Sequence, residues 1–85
     1  MATYKVLYWQ EVPSQVKAED GGEEVNLPMP PRFMERVDRM AMQRGLYGTD
    51  DFLEQWHWSD EQERDGSAQE VAAAVVAELE AGADW

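Results

Sequence analysis

Residues Thr3 to Gln10, T-Y-K-V-L-Y-W-Q, decide the fold, because they are dense in β-branched and aromatic side chains. Such residues favour a β-strand. Alternation along a strand places two sets of side chains on opposite faces: Tyr4, Val6 and Tyr8 on one, and Lys5, Leu7 and Trp9 on the other. Both faces carry apolar groups, so the sequence predicts a central strand over residues 3–10.

Two further strands are predicted directly after the first. Pro13-Ser14 interrupts the strand pattern, and a second strand follows over residues 15–19 (Q-V-K-A-E). Asp20-Gly21-Gly22 is typical of a turn, since glycine adopts positive φ angles without strain. A third strand returns over residues 23–27. Pro28 and the two prolines after it then forbid regular pairing, because proline lacks the N–H that a strand needs.

The remaining residues predict three helices and one strand. The first helix covers residues 31–44: it begins at Pro31, where a missing N–H costs nothing, and it stops at Gly45. Its apolar stripe follows helical spacing: Phe33, Val37, Met40 and Ala41. A short helix over residues 50–54 follows, with Thr49 at its N-cap and acids in its first turn. Residues 55–59 again alternate polar and apolar side chains and are interpreted as the last strand. The alternative is an extension of the short helix.

The final helix, over residues 67–81, has the clearest local signal. Ser67 and Glu70 match the capping box, in which each side chain satisfies the other residue's free N–H. An apolar face follows: Val71, Ala72, Val75 and Leu79. The order of elements predicts one domain, residues 1–85, of the α+β class. We expect a two-layer sandwich, with helices on one face of a mostly antiparallel sheet of three or four strands.

Composition and charge limit the function. The 85-residue chain has 7 basic and 18 acidic residues, a net charge of −11, and no cysteine. Nucleic acid and anionic lipid are therefore poor partners, and thiolate chemistry is excluded. With no apolar run of ~20 residues and no secretory signal, the sequence predicts a cytoplasmic protein without a transmembrane helix. It indicates no cofactor and no metal site.

The basic residues are concentrated on the first helix. Residues 29–48 have a net charge of +2, whereas residues 1–28 have a net charge of −3 and residues 49–85 one of −10. At ~100° per residue, three arginines fall on one stripe, about 120° from the apolar one: Arg32, Arg36 and Arg39. Such a stripe fits a phosphate, a carboxylate or an acidic partner. The plainer interpretation is a set of ordinary surface ion pairs, each contributing ~0–1 kcal/mol.

Other motifs carry weaker signals for chemistry. The single histidine, His57, lies near Ser59 and Asp60, which suggests a general base, although a surface strand position explains it as well. Glu61 to Gly66 resembles the start of a calcium loop but lacks the glutamate at position 12, where Ala72 stands. Gly45 to Thr49 suggests a phosphate-binding turn, but two helix ends explain its glycines. Trp9 and Trp58, if they face outward, would form an aromatic anchor for a partner.

Several strings together resemble the small bacterial domain family labelled "virulence factor". The most specific is Val12 to Ala18 (V-P-S-Q-V-K-A), and the others include Trp56-His57-Trp58 and Gly66 to Val71. The resemblance implies an accessory or interaction module, since the domain occurs alone and within larger proteins, beside an Nfu-type scaffold domain and HEAT repeats. Stand-alone members lie near genes of folate and corrinoid one-carbon metabolism. The family supplies no catalytic residue to transfer. Within the string, Gln15 and Lys17 are interpreted as partner contacts or as plain solvent-facing strand residues.

These observations favour a non-enzymatic interaction module that binds a protein partner or a second copy of itself. Its predicted binding residues are the basic stripe, one strand lysine and the exposed aromatics: Lys17, Arg32, Arg36, Arg39, Trp9 and Trp58. The alternative is an accessory subunit that binds a small anionic ligand, such as a folate or a phosphate ester. An enzyme that uses His57 with Asp60 is the third hypothesis.

Overall fold

The computed structural model describes residues 1–46 and 48–83. These residues form five strands and three helices. In chain order they are β1 (Ala2–Trp9), β2 (Val12–Asp20), β3 (Glu23–Pro28), α1 (Pro31–Gln43), α2 (Asp50–Glu54), β4 (Trp56–Trp58), β5 (Gln62–Arg64) and α3 (Ala68–Gly82). The α+β class predicted from the sequence is confirmed.

The five strands form one antiparallel sheet with β1 at its centre. The order is β3-β2-β1-β4, and β5 pairs with β1 beside β4. The central position predicted for residues 3–10 is therefore confirmed. The strand itself ends at Trp9, because Gln10 turns the chain with a φ of 53°. The Gln10 backbone N–H donates to the Gln55 carbonyl at 3.2 Å, which ties this turn to the chain before β4.

Two prolines that were expected to interrupt the sheet lie within it. Pro13 belongs to β2, which begins at Val12, and the pairing shifts by one residue between Leu7 and Tyr8. This β-bulge accommodates the missing N–H and increases the local twist. Pro28 is the last residue of β3 and pairs with Gln15. It is tolerated there because β3 is an edge strand and one side of its backbone needs no partner.

Strand β5 was not predicted from the sequence. Its three residues have no apolar alternation, so pairing with the start of β1 is what defines it as a strand. Ser59 bridges the break between β4 and β5. Its backbone N–H donates to the Val6 carbonyl at 2.8 Å, and its hydroxyl accepts from the Val6 N–H at 2.9 Å. The side chain thus takes the place of a missing strand carbonyl.

A first core cluster, which we call the small-residue cluster, joins α3 to the sheet. All its buried members are alanine or valine: Ala2, Val6, Val16, Ala18, Ala68, Val71, Ala72 and Val75. The predicted apolar face of the last helix is confirmed, with Leu79 half-buried. The capping box is confirmed too, because the Glu70 N–H donates to the Ser67 hydroxyl at 3.1 Å and the Ser67 N–H donates to Glu70 Oε1 at 3.4 Å.

A second core cluster, which we call the large-residue cluster, holds α1 and α2. Its buried members are Trp9, Val12, Met29, Phe33, Val37, Met40 and Ala41, so the predicted stripe of α1 is confirmed. Val76 and Leu79 of α3 pack against both clusters. Helix α2 begins after Thr49, as expected, but the Thr49 hydroxyl donates to the Leu46 carbonyl at 2.6 Å and caps no helical N–H.

Candidate binding surfaces

The predicted arginine stripe exists as one surface on α1. Arg32, Arg36 and Arg39 line a shallow depression of about 170 Å³ together with Glu35. We call this the helix surface. The helix brings these side chains together because residues three and four apart are neighbours on a helix. The burial of Phe33 and Val37 on the adjacent stripe turns the arginines away from the core.

The three arginines differ in what holds them. Arg32 pairs with Glu80 of α3 at 3.7 Å, and its guanidinium carbon lies 5.3 Å from the centre of the Phe33 ring. Arg36 is half-buried. Arg39 is exposed, and within the described residues its guanidinium makes no ion pair and no hydrogen bond. Helix α1 therefore presents the open guanidinium of Arg39 beside a half-buried arginine, Arg36, and an anchored one, Arg32.

Lys17 and Trp58 lie on a different surface, the side of the sheet opposite Val6 and Val16. Register places Lys17 across from Lys5, and Trp58 across from Leu7. Lys5 Nζ lies 5.0 Å above the centre of the Trp58 ring, which is a cation–π contact. We call Lys5, Leu7, Lys17 and Trp58 the sheet surface. Trp58 is 42% exposed, and Lys17 pairs with Glu24 at 3.5 Å.

The pairing of Lys5 with Lys17 is unusual, because like charges directly opposite each other on a sheet destabilise it. The predicted alternation of β1 placed Lys5 and Leu7 on one side, but Lys5 was not singled out as a binding residue. The missing information was the register of β2, which sequence alone does not supply. Gln15 pairs with Leu7 and is half-buried at the edge of the same surface.

Trp9 is not a surface anchor, and that prediction is corrected. Its side chain is fully buried in the large-residue cluster, and its indole Nε1 donates to the Phe52 carbonyl at 2.9 Å. The β-bulge between Leu7 and Tyr8 lies just before it in the chain. The extra residue of that bulge is Ser14 of β2, and residues 7–9 of β1 pair with β4 without a shift. Trp9 is buried because Phe52 and Trp56 pack against its ring and cover this end of the strand.

The residues considered for catalysis have structural partners. The His57 ring stacks on Tyr8, with 5.8 Å between ring centres, and His57 Nδ1 lies 3.1 Å from the Gln55 carbonyl. The Ser59 hydroxyl accepts from Val6 and donates to the Asp60 carbonyl at 3.3 Å. Both hydrogen-bonding directions of that hydroxyl are occupied, so it is not placed as a nucleophile that His57 activates.

The two loop motifs also have structural roles. Residues 62–64 of the calcium-loop string pair with β1 as β5, and in the described ranges no three acids or histidines come together as a metal would require. In the glycine string, Gly45 has a φ of 69° and ends α1, with the Leu46 N–H donating to the Ala41 carbonyl at 2.8 Å. Tyr47, inside that string, lies outside the described residues.

Comparison with known proteins identifies the family. Among the helices of residues 1–46 and 48–83, none has the length and apolar character needed to cross a bilayer. No curated protein and no solved structure matches the chain significantly. A family model does match: it is described as "Virulence factor" and covers residues 7–84, nearly the entire chain, including both surfaces described above except Lys5. The chain therefore belongs to the virulence factor domain family.

Proposed function

We propose that this domain is a non-enzymatic interaction module that docks onto an acidic partner protein through the helix surface. The observation that carries the proposal is the state of Arg39. The chain has 18 acidic residues for 7 basic ones, so a carboxylate partner for every cation could easily have been supplied. Arg39 nevertheless makes no such pair among the described residues.

The neighbouring side chains support the same function. Arg32, held by Glu80 and by the Phe33 ring, is ordered before a partner arrives, which lowers the entropic cost of binding. Arginine forms two parallel hydrogen bonds to a carboxylate and is enriched at interfaces. A partner that brings carboxylates to this stripe replaces water around Arg39 without breaking an internal ion pair.

Charge reversal on α1 tests the proposal. The full chain is used to capture proteins from a lysate of the host cell, and each captured protein is purified and rebound to measure Kd. Arg39→Glu should weaken binding at least tenfold, because it places a negative charge opposite the partner's carboxylates. Arg44→Glu is the matched control: Arg44 directly follows α1, lies outside the depression and pairs with Glu11. Binding that survives Arg39→Glu, or that Arg44→Glu weakens equally, contradicts docking through the helix surface.

A small anionic ligand on the sheet surface is the second candidate function. Lys5 and Lys17 favour it, because they pair across β1 and β2 and a bound anion would offset the repulsion between their charges. The exposed Trp58 ring beside them offers a stacking face for a flat ligand. In this case inorganic phosphate or benzoate raises the Tm of the folded chain, and Lys17→Gln removes that rise. An unchanged Tm at millimolar concentrations of these anions contradicts this function.

A further inference from the structure

A cleft lies between α3 and β1, on the side of the sheet opposite the sheet surface. One end has a volume of about 350 Å³, and the other has about 270 Å³. The two ends are neighbours, because Tyr8, Glu78 and Leu79 line both. The larger end alone lies within the ~300–1,000 Å³ typical of small-molecule sites.

The cleft exists because the small-residue cluster does not fill the space beside it. Its floor is apolar, formed by Val6 and Val75 at one end and by Pro13 and Phe33 at the other. Leu79, which packs against both clusters, forms the floor between them.

Two tyrosines form the wall of the cleft. Tyr4 and Tyr8 are half-buried, so part of each ring is covered by protein and part is open to the cleft. His57 stacks on Tyr8, with an angle of 17° between the ring planes, and this supports the Tyr8 ring in one orientation. The wall is therefore aromatic and ordered.

The charged side chains that line the cleft are all acidic: Glu11, Asp60 and Glu78. Glu78 is held by Arg64, with 3.0 Å between Nη1 and Oε1, and Glu11 is paired with Arg44 at 3.5 Å. Both arginines lie outside the lining. The Asp60 carboxylate makes no hydrogen bond or ion pair within residues 1–46 and 48–83. The hydrogen bond from Arg64 lowers the pKa of Glu78, which keeps that carboxyl ionised.

We propose that this cleft binds a small organic cation, with an ammonium group attached to an aromatic or branched apolar body. The body lies on the floor of valine and leucine, where it is removed from water. The ammonium group lies between the Asp60 carboxylate and the faces of the tyrosine rings, both of which attract a cation. An anion of the same shape would be repelled by the Asp60 carboxylate, which has no arginine partner among the described residues. This site is separate from the helix surface and does not depend on the proposed docking function.

A matched series of probes tests the charge requirement. Phenethylammonium, 2-phenylethanol and 3-phenylpropionate share a phenylethyl body and carry positive, neutral and negative head groups. Each is titrated into the full chain while the amide resonances are followed by NMR. We expect saturable shifts at Tyr8, Ser59 and Leu79, with phenethylammonium binding at least threefold more tightly than the alcohol and the propionate most weakly. Equal binding of all three, or shifts confined to other regions, would overturn the proposal.

Two substitutions localise the effect. Asp60→Asn should bring the Kd of phenethylammonium to within twofold of that of 2-phenylethanol, because it removes the one lining carboxylate without an internal partner. Asp65→Asn is the control: it removes an equal charge from an exposed residue after β5 that does not line the cleft. If both variants lose the same affinity for phenethylammonium, the preference for the cation comes from the net charge of the chain. The proposed site would then be wrong. Tyr8→Leu provides a second check, since loss of the ring should weaken the cation more than the alcohol.

Discussion

The two core clusters of this domain are built in different ways. The small-residue cluster uses alanine and valine from two regular elements, the sheet and α3. The large-residue cluster uses Trp9, Phe33 and two methionines drawn from a strand end, a loop and a helix. The difference shows how a short chain with few branched aliphatic residues can fold. Regular elements supply one interface, and a few large side chains close the irregular end, because each aromatic ring buries ~150–250 Å².

The position of the cleft and of both surfaces follows from this difference. Helix α1 is held by large side chains on one stripe, which leaves its arginine stripe free to face solvent. Helix α3 is held by small side chains, and at its C-terminal half they leave an open volume beside Tyr8. The cleft thus lies where one cluster gives way to the other, at Leu79.

The largest expected effect concerns the tryptophan that anchors the large-residue cluster. Trp9→Phe should lower the free energy of unfolding by about 2–4 kcal/mol, because it leaves a cavity and deprives the Phe52 carbonyl of its donor. Trp58→Phe is the control, and its effect should stay within about 0.5 kcal/mol, since that ring is 42% exposed. Urea unfolding monitored by circular dichroism measures both. A similar loss in the two variants would contradict the assignment of Trp9 to the core.

A smaller effect separates the clusters by how well they repack. Val71→Ala and Val37→Ala remove the same two methyl groups from buried positions, one in each cluster. The buried neighbours of Val71 in its cluster are alanine and valine, which cannot extend into the space, so we expect a loss of about 2 kcal/mol. Val37 shares its cluster with Met29 and Met40, whose flexible side chains fill gaps, so we expect about 1 kcal/mol. Urea unfolding decides between them, and an equal or reversed order would show that the methionines do not repack.

The parts of the fold that sequence predicts are those with regular spacing. The stripe of α1 follows from helical periodicity and the capping box of α3 from the Ser67-x-x-Glu70 spacing, and both were located from residue types alone. Strand β5 was missed because Gln62 to Arg64 have neither β propensity nor alternation, and their pairing with β1 is a tertiary event. The inclusion of Pro13 in β2 depends on a bulge, which local sequence does not specify.

The candidate surfaces also differ in how far the sequence predicts them. The arginine stripe was predicted because all three residues lie on one helix, whose geometry fixes their neighbours. Lys5 and Lys17 face each other through a register between two strands, and the lining of the cleft comes from segments far apart in the chain. Trp9 and Trp58 were treated alike because composition cannot separate a buried ring from an exposed one. The packing of α2 and of the large-residue cluster on Trp9 makes them different.

The smallest expected effect is the pH dependence of an ion pair at the margin of the small-residue cluster. Arg64 of β5 and Glu78 of α3 form a bidentate pair, and the hydrogen bond from Arg64 lowers the pKa of Glu78 below its usual value. A carboxyl with a lower pKa in the folded state adds stability above its unfolded pKa, about 4.3, and that contribution disappears as the pH falls through the folded value. The Glu78 side chain is 60% exposed and the Arg64 side chain 35%, so the contribution is small and is screened by salt.

Arg64→Gln isolates this contribution, and the pKa of Glu78 should then rise toward its usual value. The difference in unfolding free energy between the natural chain and the variant should be constant from pH 7 to about 5 and shrink below about 4.3. Arg32→Gln is the matched control, because it breaks the other pair on α3, Arg32–Glu80, which lies against the large-residue cluster. It should leave the NMR titration of the Glu78 carboxyl unchanged. If the two variants shift that titration equally, the pKa of Glu78 reflects the overall charge of the domain, and Arg64 does not tie β5 to α3 as the structure indicates.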